Sequence, residues 1–258
     1  MARFFCPDLE HKTKLEGQEA HHALNVLRIR KGETVTLFDG RGLELQARVT
    51  SISKRTLEYD IISRKLTPEP ICRLKLVQAL LKSKAMDLVI QKATELGMTD
   101  LYPVQTKHAV MQLNKDQLKA KREKWQHIAI EACKQCGQNR IPTIHSCLNV
   151  KNFLQTTEKE NSLCLIGSLQ DARRTLPEVL RETNLRKTKH VYYMIGPEGD
   201  FSADELNMAE ESGFQSVSLG SLTLRSETAA LQMTSVLNYE LQGQSVINFE
   251  SQTNNLAR

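Results

Sequence analysis

The sequence predicts an α/β protein built in two parts, and three observations carry that prediction. Over the first seventy residues apolar and polar side chains alternate at period two. A double proline then interrupts the chain at Thr67-Pro68-Glu69-Pro70, and beyond it strand-like runs alternate with helical ones. With 258 residues, of which 40% are hydrophobic and 25% charged, the chain has enough apolar material for one large domain or two smaller ones.

Taken in order, Ala20, Ala23, Leu24 and Leu27 recur at helical spacing, with Gly32 just past the expected end. Val35 and Leu37, the turn Asp39-Gly40-Arg41-Gly42, and then Leu43, Leu45, Ala47 and Val49 read as a hairpin. A further strand is expected over Leu57–Ile62. Two prolines within three residues continue neither a ladder nor a helix, so a domain boundary is expected there, giving domains 1–70 and 71–245. In the second domain strands are expected at Leu74–Leu80, Asp100–Val104, Ser162–Ile166, Val191–Ile195 and Ser216–Leu219. Met86, Val89, Ile90, Ala93 and Leu96 make a helical stripe closed by Gly97, and Asn114 is placed to cap a long helix reaching about Gln138. The polar end, residues 246–258, is expected to be a frayed tail.

Charge is unevenly placed. The net +5 divides into +2 over residues 1–70, +7 over 71–140 and −4 over 141–258. A basic middle points to a polyanionic partner, while Lys115, Lys119, Lys121, Arg122 and Lys124 also read as one solvated helix face. The start reaches Pro7 and Asp8 before an apolar stretch forms, and no window holds about 18 consecutive apolar residues, so the expected address is cytoplasmic, with no membrane span. The six cysteines are accordingly expected to be thiols. Cys133-Lys-Gln-Cys136 lacks a second pair of ligands and falls inside a predicted helix, so no metal site is expected. Trp125, Ile128, Ala129 and Ala132 read as packing residues rather than a base-stacking platform.

Two stretches could carry chemistry. In Ile195-Gly196-Pro197-Glu198-Gly199-Asp200 a buried strand runs into a glycine-bounded loop, and Ser202 with Glu205 forms a capping box for the next helix. Loops at the carboxyl ends of α/β strands are where such folds bind ligands, although the same pattern also describes a structural turn. The spacing is neither the dinucleotide nor the P-loop fingerprint. The second stretch, Leu219-Gly220-Ser221-Leu222-Thr223-Leu224-Arg225-Ser226, again leads from strand to helix, with Ser226 as the expected N-cap. A guanidinium at Arg225 beside a helix N-terminus favours developing negative charge; an ordinary ion pair to Glu227 or Glu198 is the alternative.

Together with motifs along nearly the whole chain, these stretches resemble the ribosomal RNA small-subunit methyltransferase E family, uridine-N3 methyltransferases of the SPOUT superfamily. The motifs are His22-Ala-Leu-Asn-Val26-Leu27-Arg28, Lys31-Gly32, Leu37-Phe38-Asp39-Gly40, Lys84-Ala-Met86-Asp87, Gln91-Lys92-Ala-Thr94-Glu95-Leu96-Gly97, Glu131-Ala132, Gln135-Cys136-Gly137, Asn139-Arg140-Ile141-Pro142, Ile195 to Gly199, and Leu224 to Ala229. The resemblance implies a small PUA-like β-barrel followed by a SPOUT domain with a trefoil knot, a homodimer whose interface completes each active site, and S-adenosylmethionine bound in the knot. It implies a cofactor pocket of Leu165, Ile166, Gly167, Ile195, Gly196, Pro197, Glu198, Gly199, Leu219, Gly220, Leu224, Ser226, Thr228 and Ala229. The chain departs from the family pattern at Asp200, where another glycine is usual, and at Leu222, Lys134 and Gln138, three positions expected to tune RNA contacts.

On this reading Arg225 stabilises charge on a uracil oxygen, and Glu198 or Glu227 accepts the N3 proton. His22, Arg28, Arg30, Lys31, Lys82, Lys84, Lys92 and Arg140 are candidate contacts to small-subunit ribosomal RNA, His22 reading equally as a packing residue. Two rivals remain: an RNA-binding protein without activity, and a methyltransferase acting on transfer RNA or a ribose hydroxyl.

Overall fold

The computed structural model describes residues 2–109, 113–168 and 174–254. The chain forms two compact units. One comprises Met1–Pro70 with Ala129–Ile141, the other Ile71–Ile128 with Pro142–Arg258. The sequence division at residue 70 did not anticipate that 129–141 would return to the first unit.

The first unit holds β1 (Arg3–Phe5), β2 (Lys14–Leu15), α1 (Gly17–His21), a π-helical turn (His22–Val26), β3 (Thr34–Phe38), β4 (Leu43–Ile52) and β5 (Leu57–Leu66). They form one five-stranded sheet in the order β1-β3-β4-β5-β2. The expected hairpin is present, with Val35 opposite Ala47 and Leu37 opposite Leu45. Its inward side chains, including Val35, Leu37, Leu45, Ala47 and Val49, are buried together with Phe4, Leu57 and Tyr59. The helix differs from its pattern. Leu27 N donates to His22 O at 3.0 Å, a five-residue step, and the extra residue carries Val26 and Leu27 outward to 61% and 44% exposure. Gly32 lies beyond this turn at φ 92, where its N–H donates to Val49 O and leads into β3.

The hairpin turn is clamped by residues 138–141. Gly42 N donates to Asn139 O at 3.1 Å and Ile141 N to Gly40 O at 3.0 Å. A Cβ on Gly40 would lie 2.5 Å from Ile141 Cδ1 and one on Gly42 would lie 2.6 Å from Thr67 O, so both glycines permit a close approach as well as positive φ.

In the second unit the elements are β6 (Arg73–Ala79), α2 (Ser83–Glu95), β7 (Asp100–Gln105), α3 (Lys115–Cys136, whose last turns belong to the first unit), β8 (Thr143–Ile144), β9 (Leu148–Asn149), α4 (Val150–Thr156), β10 (Ser162–Gly167), β11 (Arg174–Thr175), α5 (Leu176–Glu182), β12 (His190–Ile195), α6 (Ala203–Glu211), β13 (Gln215–Ser218) and α7 (Ser226–Asn254). The sheet order is β11-β13-β10-β12-β6-β7-β8 with β9 beside β7, and every pairing is parallel. Apolar strands of this kind must be covered on both faces. On one face Val77, Met194 and Ile166 pack with Phe153, Phe201 and Phe214. On the other, α7 covers the sheet, and Tyr193 bonds through its hydroxyl to the buried Thr234 at 2.9 Å.

Met86, Val89, Ile90 and Ala93 of the α2 stripe are buried as their spacing predicts, Leu96 at its end is half-buried, and Gly97 ends it at φ 92. Asn114 caps α3 reciprocally: its Oδ1 accepts from Gln117 N at 2.9 Å and its own N–H donates to Gln117 Oε1 at 3.0 Å. Trp125, Ala129 and Ala132 are buried, and Ile128 is half-buried. Burial pushes the Cys133 thiol up to about 12. All six cysteines are free. The expected tail instead continues α7 to Asn254, since no glycine or proline follows Gly243 to stop it, and residues 255–258 lie outside the described residues. No described helix is long and apolar enough to cross a membrane.

Candidate functional site

The carboxyl ends of β10, β12 and β13 surround a cavity of about 550 Å³, a volume typical of small-molecule sites. Among the described residues three chain segments wall it: Gly167-Ser168 after β10, Ile195 to Glu198 with Asp200 after β12, and Ser218 to Ser226 with Ala229 around the start of α7. Thus the two stretches singled out in the sequence, far apart in the chain, face one space.

Buried polar bonds hold them there. Ser226 Oγ donates to Gly196 O at 2.5 Å and accepts from Gln78 Nε2 at 3.0 Å. Gln78 is fully buried under the cavity. Sequence reasoning missed it, although a lone amide within the otherwise apolar run Leu76–Leu81 was a signal. Ser226 is therefore spent on joining the loops and is not the expected N-cap. Arg225 occupies that position: its carbonyl accepts the first helical bond, from Ala229 N at 2.9 Å. The capping box of α6 is formed, with Glu205 Oε2 accepting from Ser202 N at 2.9 Å.

The Gly-Pro-Glu-Gly loop closes on Asp200, whose N–H donates to Pro197 O at 3.1 Å. Asp200 stands at φ 59, a left-handed conformation that aspartate tolerates better than most residues, and its Oδ1 accepts from Phe201 N at 2.8 Å. This is the local answer to the departure from glycine. A Cβ on Gly196 would come 3.1 Å from Asp200 Oδ1 and 3.2 Å from Phe201, a tight approach that a side chain could enter only if these neighbours shift.

Among the expected pocket residues, Gly167, Ile195, Gly196, Pro197, Glu198, Leu219, Gly220, Leu224, Ser226 and Ala229 line the cavity. Four do not. Leu165 and Ile166 are wholly buried in β10, Gly199 is turned toward His108, and Thr228 is exposed. On a helix Ser226 and Ala229, three apart, share a face, whereas residues 227 and 228 are rotated away from it; Glu227 is likewise not a lining residue. Ser168, Asp200, Ser218, Ser221, Leu222 and Thr223 also line the cavity beyond the expected set. Arg225 and Glu198 both line it, are exposed, and have no ion-pair partner among the described residues, so the alternative in which they pair is not observed.

The candidate RNA contacts divide. Arg28, Arg30, Lys31, Lys82 and Lys84 are exposed. His22 packs edge-on against Phe4, with ring centroids 6.2 Å apart. Lys92 pairs with Glu95 at 2.8 Å. Arg140 is structural: Nε donates to Thr67 O and Pro68 O, Nη2 to Thr67 O at 2.9 Å, and Nη1 to Glu69 at 2.5 Å. Lys134, expected to tune RNA contacts, is nearly buried and pairs with Glu19 and Glu131, each at 3.0 Å. Gln138, read the same way, donates through its side-chain amide to Arg140 O at 3.0 Å, and its backbone carbonyl accepts from Arg3 Nη2 at 3.1 Å. Both brace the first unit.

Residues 67–238 match the family of RNA methyltransferase domains, and residues 15–62 that of RNA methyltransferase PUA domains. The crystal structure of a ribosomal RNA small subunit methyltransferase E from Neisseria gonorrhoeae bound to S-adenosyl methionine is similar, with TM-score 0.82 and 30% identity over 93% of this chain and 97% of that one. A methyltransferase structure from Legionella pneumophila with bound cofactor SAM gives TM-score 0.82 and 30% identity, covering 92% of this chain and 97% of that one. Ribosomal RNA small subunit methyltransferase E of Bacillus subtilis (strain 168) is 27% identical over 235 residues, 88% of this chain and 90% of its own.

Proposed function

The chain belongs to the ribosomal RNA small subunit methyltransferase E family, and from that premise we propose that it methylates N3 of a uridine in small-subunit (16S) ribosomal RNA, acting in the cytoplasm on the assembled small subunit. The observation that carries the reading is the unspent pair Arg225 and Glu198, facing one cavity whose walls are glycine-containing loops at the carboxyl ends of parallel strands.

S-adenosylmethionine supplies an electrophilic methyl group when bound. The residues present suit it: Ile195, Leu219, Leu224 and Ala229 offer apolar surface to a flat ring, and Gly167 and Gly196 leave backbone exposed to close approach. Glu198 and Asp200 set negative charge beside a cationic ligand.

Methylation at N3 requires loss of a weakly acidic imide proton. Arg225 stabilises the charge that develops on the neighbouring uracil oxygen, aided by the positive end of α7. Glu198, which lines the cavity where Glu227 does not, accepts the proton directly or through one water. N3 lies on the base-pairing edge, so the target base is unpaired or extruded. Arg28, Arg30, Lys31, Lys82 and Lys84 contact the RNA backbone. The proposal includes the trefoil knot, supported by a strand order in which the chain leaving β12 crosses β10 to form β13. It also includes a homodimer, as the family resemblance implies.

Incubating unmodified small ribosomal subunits with the protein and S-adenosylmethionine, then analysing nucleosides by mass, tests the reading. N3-methyluridine is the expected product. A different methylated nucleoside refutes the N3 assignment, and cofactor binding without any product refutes the substrate.

A further inference from the structure

The long helix α3 sorts its cations by face. Those turned toward α2 are partnered: Lys121 Nζ donates to Ser83 Oγ at 2.6 Å, and Lys124 pairs with Asp87 at 2.5 Å. Lys115, Lys119 and Arg122 form a second stripe, at spacings of four and three residues. Neither lysine has an ion-pair partner among the described residues. Arg122 is held by neutral acceptors, with Nε donating to Ile144 O at 2.8 Å and Nη1 to Ser146 Oγ at 3.4 Å, so its position is set and its charge is not neutralised.

These three cations line one hollow of about 220 Å³ together with Leu118, Ser146 and Cys147. Like charges at such spacings oppose helix formation, and a concave surface concentrates their field. An anion that presents several acceptor oxygens to spread cations relieves that repulsion, and phosphate does so.

The hollow lies at the same end of the sheet as the cavity. Cys147 leads into β9, which pairs with Val104 and Gln105 at the carboxyl end of β7. The segment following β7 then reaches the cavity loop: Lys107 N donates to Glu205 Oε1 at 2.9 Å, and His108 Nδ1 lies 3.3 Å from Asp200 O. From β12 to β7 is two strand spacings, roughly 10 Å. The exposed Lys82 and Lys84 follow β6, the strand between them.

We propose that the hollow bounded by Lys115, Lys119 and Arg122 is a seat for the sugar-phosphate backbone of the RNA whose base enters the cavity. The proposal rests on the methyltransferase reading above for the identity of that RNA. It adds a second point of attachment, which fixes the direction in which the strand crosses the sheet end.

The test compares the full chain, its Lys115→Gln/Lys119→Gln variant, and a Lys187→Gln/Lys189→Gln control that removes equal charge from exposed positions at the opposite, amino end of β12. Binding of a 20-nucleotide polyuridine is titrated from 50 to 300 mM KCl, alongside binding of cofactor and of inorganic phosphate. The first variant is expected to bind the RNA at least about fivefold more weakly at low salt. Its slope of log affinity against log salt is expected to be shallower by about 1.4, with cofactor affinity unchanged, and the control is expected to match the wild type. Equal slopes in wild type and variant overturn the proposal, as does equal loss in variant and control. Binding of inorganic phosphate that the first variant loses, with RNA affinity equal in variant and wild type, overturns it in favour of a small-anion site. Because the readout is binding, failure of the N3 assignment leaves this result standing, and failure here leaves that assignment standing.

Discussion

Arg140 and Arg225 both sit in family motifs, and the structure uses them in opposite ways. The Arg140 guanidinium is consumed by the carbonyls of Thr67 and Pro68 and the carboxylate of Glu69, tying residues 138–141 to the hairpin turn. Arg225 serves α7 with its backbone alone and leaves its side chain at a cavity wall without an ion-pair partner. A charge bound by several acceptors inside the fold serves stability, whereas one whose side chain makes none of these bonds is available to a ligand.

The largest effect that would break this contrast is on turnover. Arg225→Ala is expected to lower the methyl-transfer rate by about 10²–10³-fold, in the range of losing one oxyanion donor, with cofactor affinity and melting temperature nearly unchanged. Single-turnover kinetics with calorimetry checks this, and equal losses of rate and cofactor affinity would remove Arg225 from the chemistry. Arg140→Ala is expected to show the reverse pattern: roughly 2–3 kcal/mol of lost stability in denaturant titration, and an unchanged rate per folded molecule. The smallest effect sharpens the comparison within the cavity loop itself. Replacing Asp200 by Ala at φ 59 is expected to cost about 1 kcal/mol, and replacing it by Asn or Gly less, because only the alanine lacks both a local acceptor and left-handed tolerance. Equal costs for all three would mean that Asp200 acts through its charge.

Much of the fold was legible because it rests on local periodicity. The hairpin across Asp39 to Gly42, the α2 stripe ending at Gly97, the Asn114 cap and the Ser202/Glu205 box each depend on residues close together in the chain. Two expectations failed, each for its own local reason. Leu27 was expected on the helical stripe with Ala20, Ala23 and Leu24, but a π-helical turn, which hydropathy at period 3.6 does not register, carries it outward. The tail lacks an apolar stripe and still forms helix to Asn254.

The candidate site divides along the same line. Its two loops were recognisable as strand-to-helix junctions with glycine, serine and acidic residues in capping positions, and the chemistry of Arg225 and Glu198 could be named from residue type alone. Which side chains face the cavity could not. Ser226 looked like a cap and proved to be the bolt between Gly196 and Gln78, residues 30 and 148 positions away, a relation set by sheet order and invisible at short range. The local code of spacing, turns and caps therefore settles the elements and the classes of residue at their ends, because those interactions span a few residues. The roles of Arg140, Lys134 and Gln138 as braces, the exclusion of Glu227 and Thr228 from the cavity wall, and the hollow at Lys115, Lys119 and Arg122 are decided by tertiary structure, because whether a polar group is satisfied depends on partners that only the folded chain brings near.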